Sequence, residues 1–555
     1  MRQGQKTTTV CTSVRLHKRP MKAATRALQS APKLALLAST ALLALSGPTL
    51  AGLWINTDVT VDGIDGGPYG TAISEPDFVS VGVKDPASLT ISRGGTVTAP
   101  IANIGTNEYG TATITDASSL WHDFVISRVG WNAEGVLTIT NSGAMSGKDM
   151  VLGANDIAQG TVNLSGSGSK LSLTGELTVG SEGTGILNLS GGGTVEAVSG
   201  VIGAAAGGSG KAIVSGAGTT WTSTGGVLAI GDRGDGVLTL ADSATVIASD
   251  RVDIASESGS SGTLNIGAAA GKTATTAGAL QTGAIVFGAG DGSIVFNHTD
   301  SAYAFAPDIS GTGGVEVYSG TTILTGTNTY TGGTRIEGGT LRAGAPFGFA
   351  NNTAYTVNGG MLDLNSHDLT MSTLSGTGGT IGLGTGKLTI IQDTDTTFAG
   401  SFTGSGTLTL EGAGRLELTG ATSAYSGDVR IATGTLAINN AFSSGSGFIG
   451  TVAGEDGRVD VTGSAALWTL DGDLNVGRTG SGALVISDGG GVNASGKVAV
   501  GSASLSLPKG SITVTGDGSR LSTEAGGALT IGSIAGSRLA VENGGSVTSG
   551  TATLG

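Results

Sequence analysis

Gly160-TVNLSGSGSK-Leu171 has four relatives in the same chain: Gly110-TATITDASSL-Trp121, Gly210-KAIVSGAGTT-Trp221, Gly457-RVDVTGSAAL-Trp468 and Gly510-SITVTGDGSR-Leu521. The starts at 110, 160 and 210 are 160 − 110 = 50 and 210 − 160 = 50 residues apart. Each block leads to an aliphatic-Gly step (Val129-Gly130, Val179-Gly180, Ile230-Gly231, Val476-Gly477, Ile531-Gly532) and then to an alternating strand pattern such as Leu187/Leu189 or Leu484/Ile486. A second set of steps, from Ile104-Gly105 to Val500-Gly501, divides each unit in two, so one turn of chain takes roughly 23 to 31 residues. Alternation puts Val, Ile and Leu on one side of each short strand and Thr, Ser and Asn on the other. One turn cannot bury its own apolar row, but turns stacked about 4.8 Å apart share a continuous core. The fold class read here is all-β, a parallel β-helix (β-solenoid) of about 20 coils.

Composition agrees. The 555 residues include 101 glycines, only 4% aromatics and 13% charged residues, which suits short strands punctuated by tight turns. The first 51 residues differ: eight basic residues, no acidic one, an apolar run at 34–45, then Gly47-Pro48-Thr49-Leu50-Ala51. That is a signal peptide with an extended basic region, cleaved between Ala51 and Gly52. Its removal leaves 28 − 8 = 20 basic and 42 acidic residues, a net charge of −22, which disfavours nucleic acid. The one cysteine, Cys11, leaves with the leader, so the mature chain has no disulfide framework.

Between 268 and 445 the unit changes. Tyr330-TGGTRIEGGTL and Tyr425-SGDVRIATGTL match at Tyr, Gly, Arg, Ile, Gly, Thr and Leu, 425 − 330 = 95 residues apart. The first copy resembles the passenger-associated transport repeat of autotransporters; the second departs from it at Asp428 and Val429. The 50-residue unit, with Val179-Gly180 and Leu187-NLSGGG-Gly193, is similar to the repeat of type V secretion and PEP-CTERM-associated proteins. The chain thus divides into the leader 1–51, a solenoid of ~50-residue repeats over 52–267, a solenoid with passenger repeats over 268–445, and ~50-residue repeats again over 446–555.

The resemblance implies a right-handed helix and a non-catalytic, surface-displayed or secreted passenger, acting as an adhesin or self-association rod. It implies export by the Sec machinery through the periplasm and an outer-membrane β-barrel, to the cell surface or extracellular space. Partners would be surface glycans or proteins, or neighbouring rods. No barrel-like strands follow residue 450 and no polar cap closes the last repeats, so the sequence suggests a chain truncated at its C-terminal end. Two other readings are a scaffold for a downstream effector and a polysaccharide-acting β-helix enzyme.

No residue set points to catalysis, a cofactor or a metal. His122, His298 and His367 are scattered and lack cysteine partners. Asp393 and Asp395 form an Asp-x-Asp pair without an accompanying Arg or Lys cluster. Arg233-Gly234-Asp235 would need a projecting loop to engage a receptor, and the same turn recurs as Gly180-SEGTG-Gly185 with other residues. Trp121, Trp221 and Trp468 stand where Leu171 and Leu521 stand, which predicts core positions.

Overall fold

The computed structural model describes residues 52–64, 71–420, 424–501, 510–524, 526–532 and 536–555, all within the unit Ser39–Gly555. The leader, with Cys11, the 34–45 run and Ala51, lies outside the described residues. Every described element is a β-strand, every strand-to-strand ladder is parallel, and the chain winds as a β-solenoid of about 19 turns.

One turn shows the plan. Gln159–Ser165 forms face one, Lys170–Leu173 face two and Glu176–Val179 face three, and Thr184–Ser190 returns to face one. Strand starts at 159, 184 and 209 give steps of 184 − 159 = 25 and 209 − 184 = 25 residues. Each strand stacks on its equivalent: Leu187 on Val162, Thr194 on Lys170, Ser199 on Glu176. Leu137, Leu187, Leu238 and Leu484 are fully buried in equivalent positions, as are Trp121, Trp221 and Trp468. The aliphatic-Gly steps end face three. Gly130 and Gly180 have φ of +71° and +76°, and a Cβ on either would collide with the carbonyl of the next turn. In the rung Arg538–Glu542 the expected alternation weakens: Leu539 is only partly buried and Val541 is exposed, because one neighbouring strand, Gly510–Thr515, covers it.

Turns in the middle are shorter, with face-one starts at Gly314 and Thr334 giving 334 − 314 = 20 residues. There the strand Leu369–Ser375 joins two faces without a corner. Residues 369–371 pair onward with 388–390, which continues face three. Residues 373–375 sit on 354–356 after a register shift, and the Gly376–Phe398 bridge passes face one to Thr396–Phe398, Arg415–Leu418 and Thr433–Ile438. The long strands Asp456–Thr462 and Ser481–Ser487 stack on that branch. The 50-residue unit therefore occupies the same face on both sides of the central turns.

The two passenger repeats do not. Thr334–Ile336 lies on face one and Thr340–Ala343 on face two, whereas the matching Val429–Ile431 lies on face three and Thr433–Ile438 on face one. Ninety-five residues is not a whole number of turns about 20 residues long, so copies aligned in sequence end one face apart in space.

Candidate functional surface

A solenoid exposes what its core does not need, so function is sought in the outward columns. Face one is widest over nine successive strands, from Ala87–Ser92 and Gly110–Thr115 through Asp235–Ala241 and Ser261–Gly267 to Asp291–Asn297. Beyond its first residue each strand contributes up to three outward residues, such as Thr161, Asn163 and Ser165. Across all nine, Lys211 is the one charged residue among these inner positions. Acids sit only at the strand starts, as Glu134, Asp235 and Asp291 do.

The polar side chains tie one rung to the next: Asn188 Nδ2 donates to Asn163 Oδ1 at 2.9 Å, Asn265 Nδ2 donates to Thr239 at 3.1 Å, and Thr263 and Ser293 share a bond of 3.3 Å. Toward the last two strands Asn265, Val295 and Asn297 are buried, and Asn297 Nδ2 donates to the carbonyls of Ala269 and Lys272 in the 268–278 loop. The open part of this nearly uncharged face thus covers about the first seven strands.

The same face further along is charged. Arg415 and Arg458 both pair with Asp460, at 2.9 and 2.7 Å, and Arg335 pairs with Glu337.

Residues singled out from sequence are not brought together. Arg233 is exposed and paired with Asp232 at 3.4 Å, Gly234 is packed against the carbonyls of Ala205 and Gly208, and Asp235 accepts from Ser261 Oγ at 2.6 Å. The tripeptide is a tight turn leading into face one. Asp393 and Asp395 are both exposed, and Asp395 accepts the backbone N–H of Arg415 at 2.9 Å. Among the described residues no group of three or more His, Cys, Asp or Glu could hold a metal ion.

The histidines take three separate places. His122 contacts Ser146 Oγ at 2.8 Å and the Phe124 ring. His298 is fully buried between Thr322 and Tyr303, where desolvation lowers its pKa. His367 lines an open cleft of about 440 Å³ with Phe347, Asn351 and Asp368. One oxygen of Asp368 and the side-chain oxygen of Asn351 are already taken by the backbone N–H groups of Lys387 and Thr370.

One group escaped the sequence reading. Asp123 is fully buried in the strand Leu120–Val129, bonded to Ser127 Oγ, with Oδ1 lacking a partner. Burial pushes its carboxyl up to about 7, against the hydrogen bonds from Ser127 and the Lys148 backbone, while nearby Asp149 raises it further. Gly147, on the next turn, leaves space for the carboxyl that a Cβ would take. The register that buries Trp121 also buries the residue two positions on, which is Leu173 and Ser223 in the sister blocks and could have flagged Asp123.

The described chain is thus a parallel β-solenoid with tyrosines buried in its central turns and few charges on the N-terminal part of face one. The passenger-associated transport repeat family matches residues 318–343 and 408–438, which contain both copies quoted above. The chain is also 60% identical over 52 residues to the adhesin BmaC autotransporter of Brucella suis biovar 1 (strain 1330), a match spanning 9% of this chain and 2% of that protein. Repeats and fold together support an autotransporter passenger.

Proposed function

We propose that this chain is a non-catalytic passenger displayed at the outer surface, acting as an adhesin or self-association rod. The observation that carries the reading is the pair of passenger repeats built into a continuous solenoid. The short match to an adhesin supports the same direction. Export would run through the Sec machinery and an outer-membrane β-barrel. Cleavage would fall between Ala51 and Gly52, leaving blocks 52–267, 268–445 and 446–555 as one solenoid. Displayed on a non-adherent Gram-negative host through a translocator barrel, the chain should raise attachment to other cells or surfaces. Surface display without any gain in attachment or clumping would contradict the proposal. N-terminal sequencing of exported material should begin at Gly52; retention of residues 34–45 would contradict the assigned leader.

A further inference from the structure

We infer that the acid-free inner part of face one is where two copies of this chain pack against each other, which specifies the self-association in the reading above. Without its leader the chain carries a net −22 (20 basic, 42 acidic), so two copies repel wherever their surfaces carry the average charge. Over the strands from Ala87–Ser92 to Asp235–Ala241 the inner outward positions hold one charge, Lys211, and that one is opposite in sign to the excess. Two copies can approach here without burying a carboxylate, whose desolvation would cost several kcal/mol.

Size and shape agree. Seven rungs about 4.8 Å apart and roughly 20 Å wide give about 700 Å² per copy, within the range of a stable protein interface, with the exposed strand-start acids Glu134 and Asp235 at its rim, where they stay solvated. Two of its amides are held rung to rung, in the Asn163–Asn188 and Thr239–Asn265 bonds, and its β-branched Thr, Val and Ile side chains have few rotamers, so little freedom is lost on contact. Among the hydroxyls and amides stand Val136, Ile186, Ile213 and Val237, half-buried in the free chain, which supply apolar contact between copies. Hydroxyl and amide groups can each donate and accept, so a surface of this kind is complementary to itself. On the C-terminal part of the same face, Arg415, Arg458 and Asp460 break that uniformity.

Sedimentation velocity on the full chain tests this. The wild type should form a faster-sedimenting species as concentration rises, and more of it at about 300 mM than at about 30 mM salt, since screening removes only repulsion. Asn188→Asp with Ile213→Asp should weaken association at least about tenfold at an unchanged circular dichroism spectrum. Val485→Asp, outward on the C-terminal part of face one, should leave association as it is. Association that the double variant does not alter, or that salt weakens, overturns the assignment of this face while leaving self-association standing. A wild type that stays monomeric throughout, including one that instead binds a neutral polysaccharide through this face, overturns both.

Discussion

The turns around Thr184–Ser190 and those around Thr353–Val357 keep the same three faces by different means. In the first region a seven-residue strand pairs at seven successive positions with its neighbour, from Thr184–Ser209 to Ser190–Ser215. Corners there are made by glycines at positive φ, and the core is filled by aliphatic side chains with an occasional tryptophan. In the second region strands shrink to three to five residues, which removes ladder bonds and turns some carbonyls toward the interior.

Buried tyrosines meet those carbonyls. Tyr355 Oη donates to Ala350 O at 2.7 Å, and Tyr425 Oη lies 2.9 Å from the carbonyls of both Gly406 and Asp428. Burial raises the pKa of both phenols, so they remain donors at any ordinary pH. Rings also line the core along the second face, where Phe402, Tyr425, Phe442 and Trp468 follow Phe398 at centroid distances of 5.3 to 6.5 Å. Regular turns add small buried hydroxyls that accept a corner N–H of the preceding turn, as Ser169 does from Ser142 and Thr219 from Gly192; the short turns add tyrosine hydroxyls that donate to carbonyls.

Substitutions can break that contrast. Leu187→Asp should have the largest effect, on the order of 4 kcal/mol, because it buries an unpaired carboxylate between two turns. Since each turn touches only its neighbours, limited proteolysis should cut first near 160–215 and spare the central turns.

Asp123 gives the next effect, and it depends on pH. Its folded pKa, about 7, lies above the ordinary 3.8, so the folded chain holds a proton that the unfolded chain releases. Stability at this turn should therefore fall as pH rises from about 4 through 7, by on the order of 3 kcal/mol. Hydrogen exchange over 120–150, corrected for intrinsic rates, should show this loss in the wild type and a flat profile in Asp123→Asn. Tyr425→Phe should cost about 1–2 kcal/mol by stranding the buried Gly406 carbonyl, since Asp428 O keeps the Leu408 N–H at 2.9 Å; it should be seen as faster exchange at 404–431 with little change at 160–215. The smallest effect belongs to Asn188→Asp, within about 0.5 kcal/mol for the fold, measured by thermal unfolding of the same region.

The regular turns were legible because five blocks repeat in register: once Leu187 aligned with Leu137 and Leu484, burial of all three followed. The neighbouring Asn188 is outward as its alternation predicts, but its bond to Asn163 joins residues 25 positions apart that only stacking brings together. Asp123 was hidden because its column is mixed: Ala99 and Gly147 pack on either side of it and Ser223 shares the position further along, so no apolar row makes an acid stand out. Near Leu369–Ser375 the sequence was silent, since the shift at Thr353–Ala354 is a property of pairing between turns. For the passenger repeats, sequence identity located Tyr330 and Tyr425 correctly as related residues but could not show that their following strands lie on different faces.

Disulfide pairing tests the stacked three-faced plan most directly, since the one native cysteine, Cys11, can be replaced by serine. Adjacent parallel strands put paired Cα atoms roughly 5 Å apart, within disulfide reach. Cysteines at Asn163 and Asn188 test a 25-residue turn, and cysteines at Thr356 and Ser375 test a 19-residue one. Both pairs should oxidise readily, while Asn163 with Leu189, one outward and one inward, should not. Equal oxidation of the matched and mismatched pairs, or failure of the Thr356–Ser375 pair while Asn163–Asn188 forms, would contradict a single solenoid running through both regions.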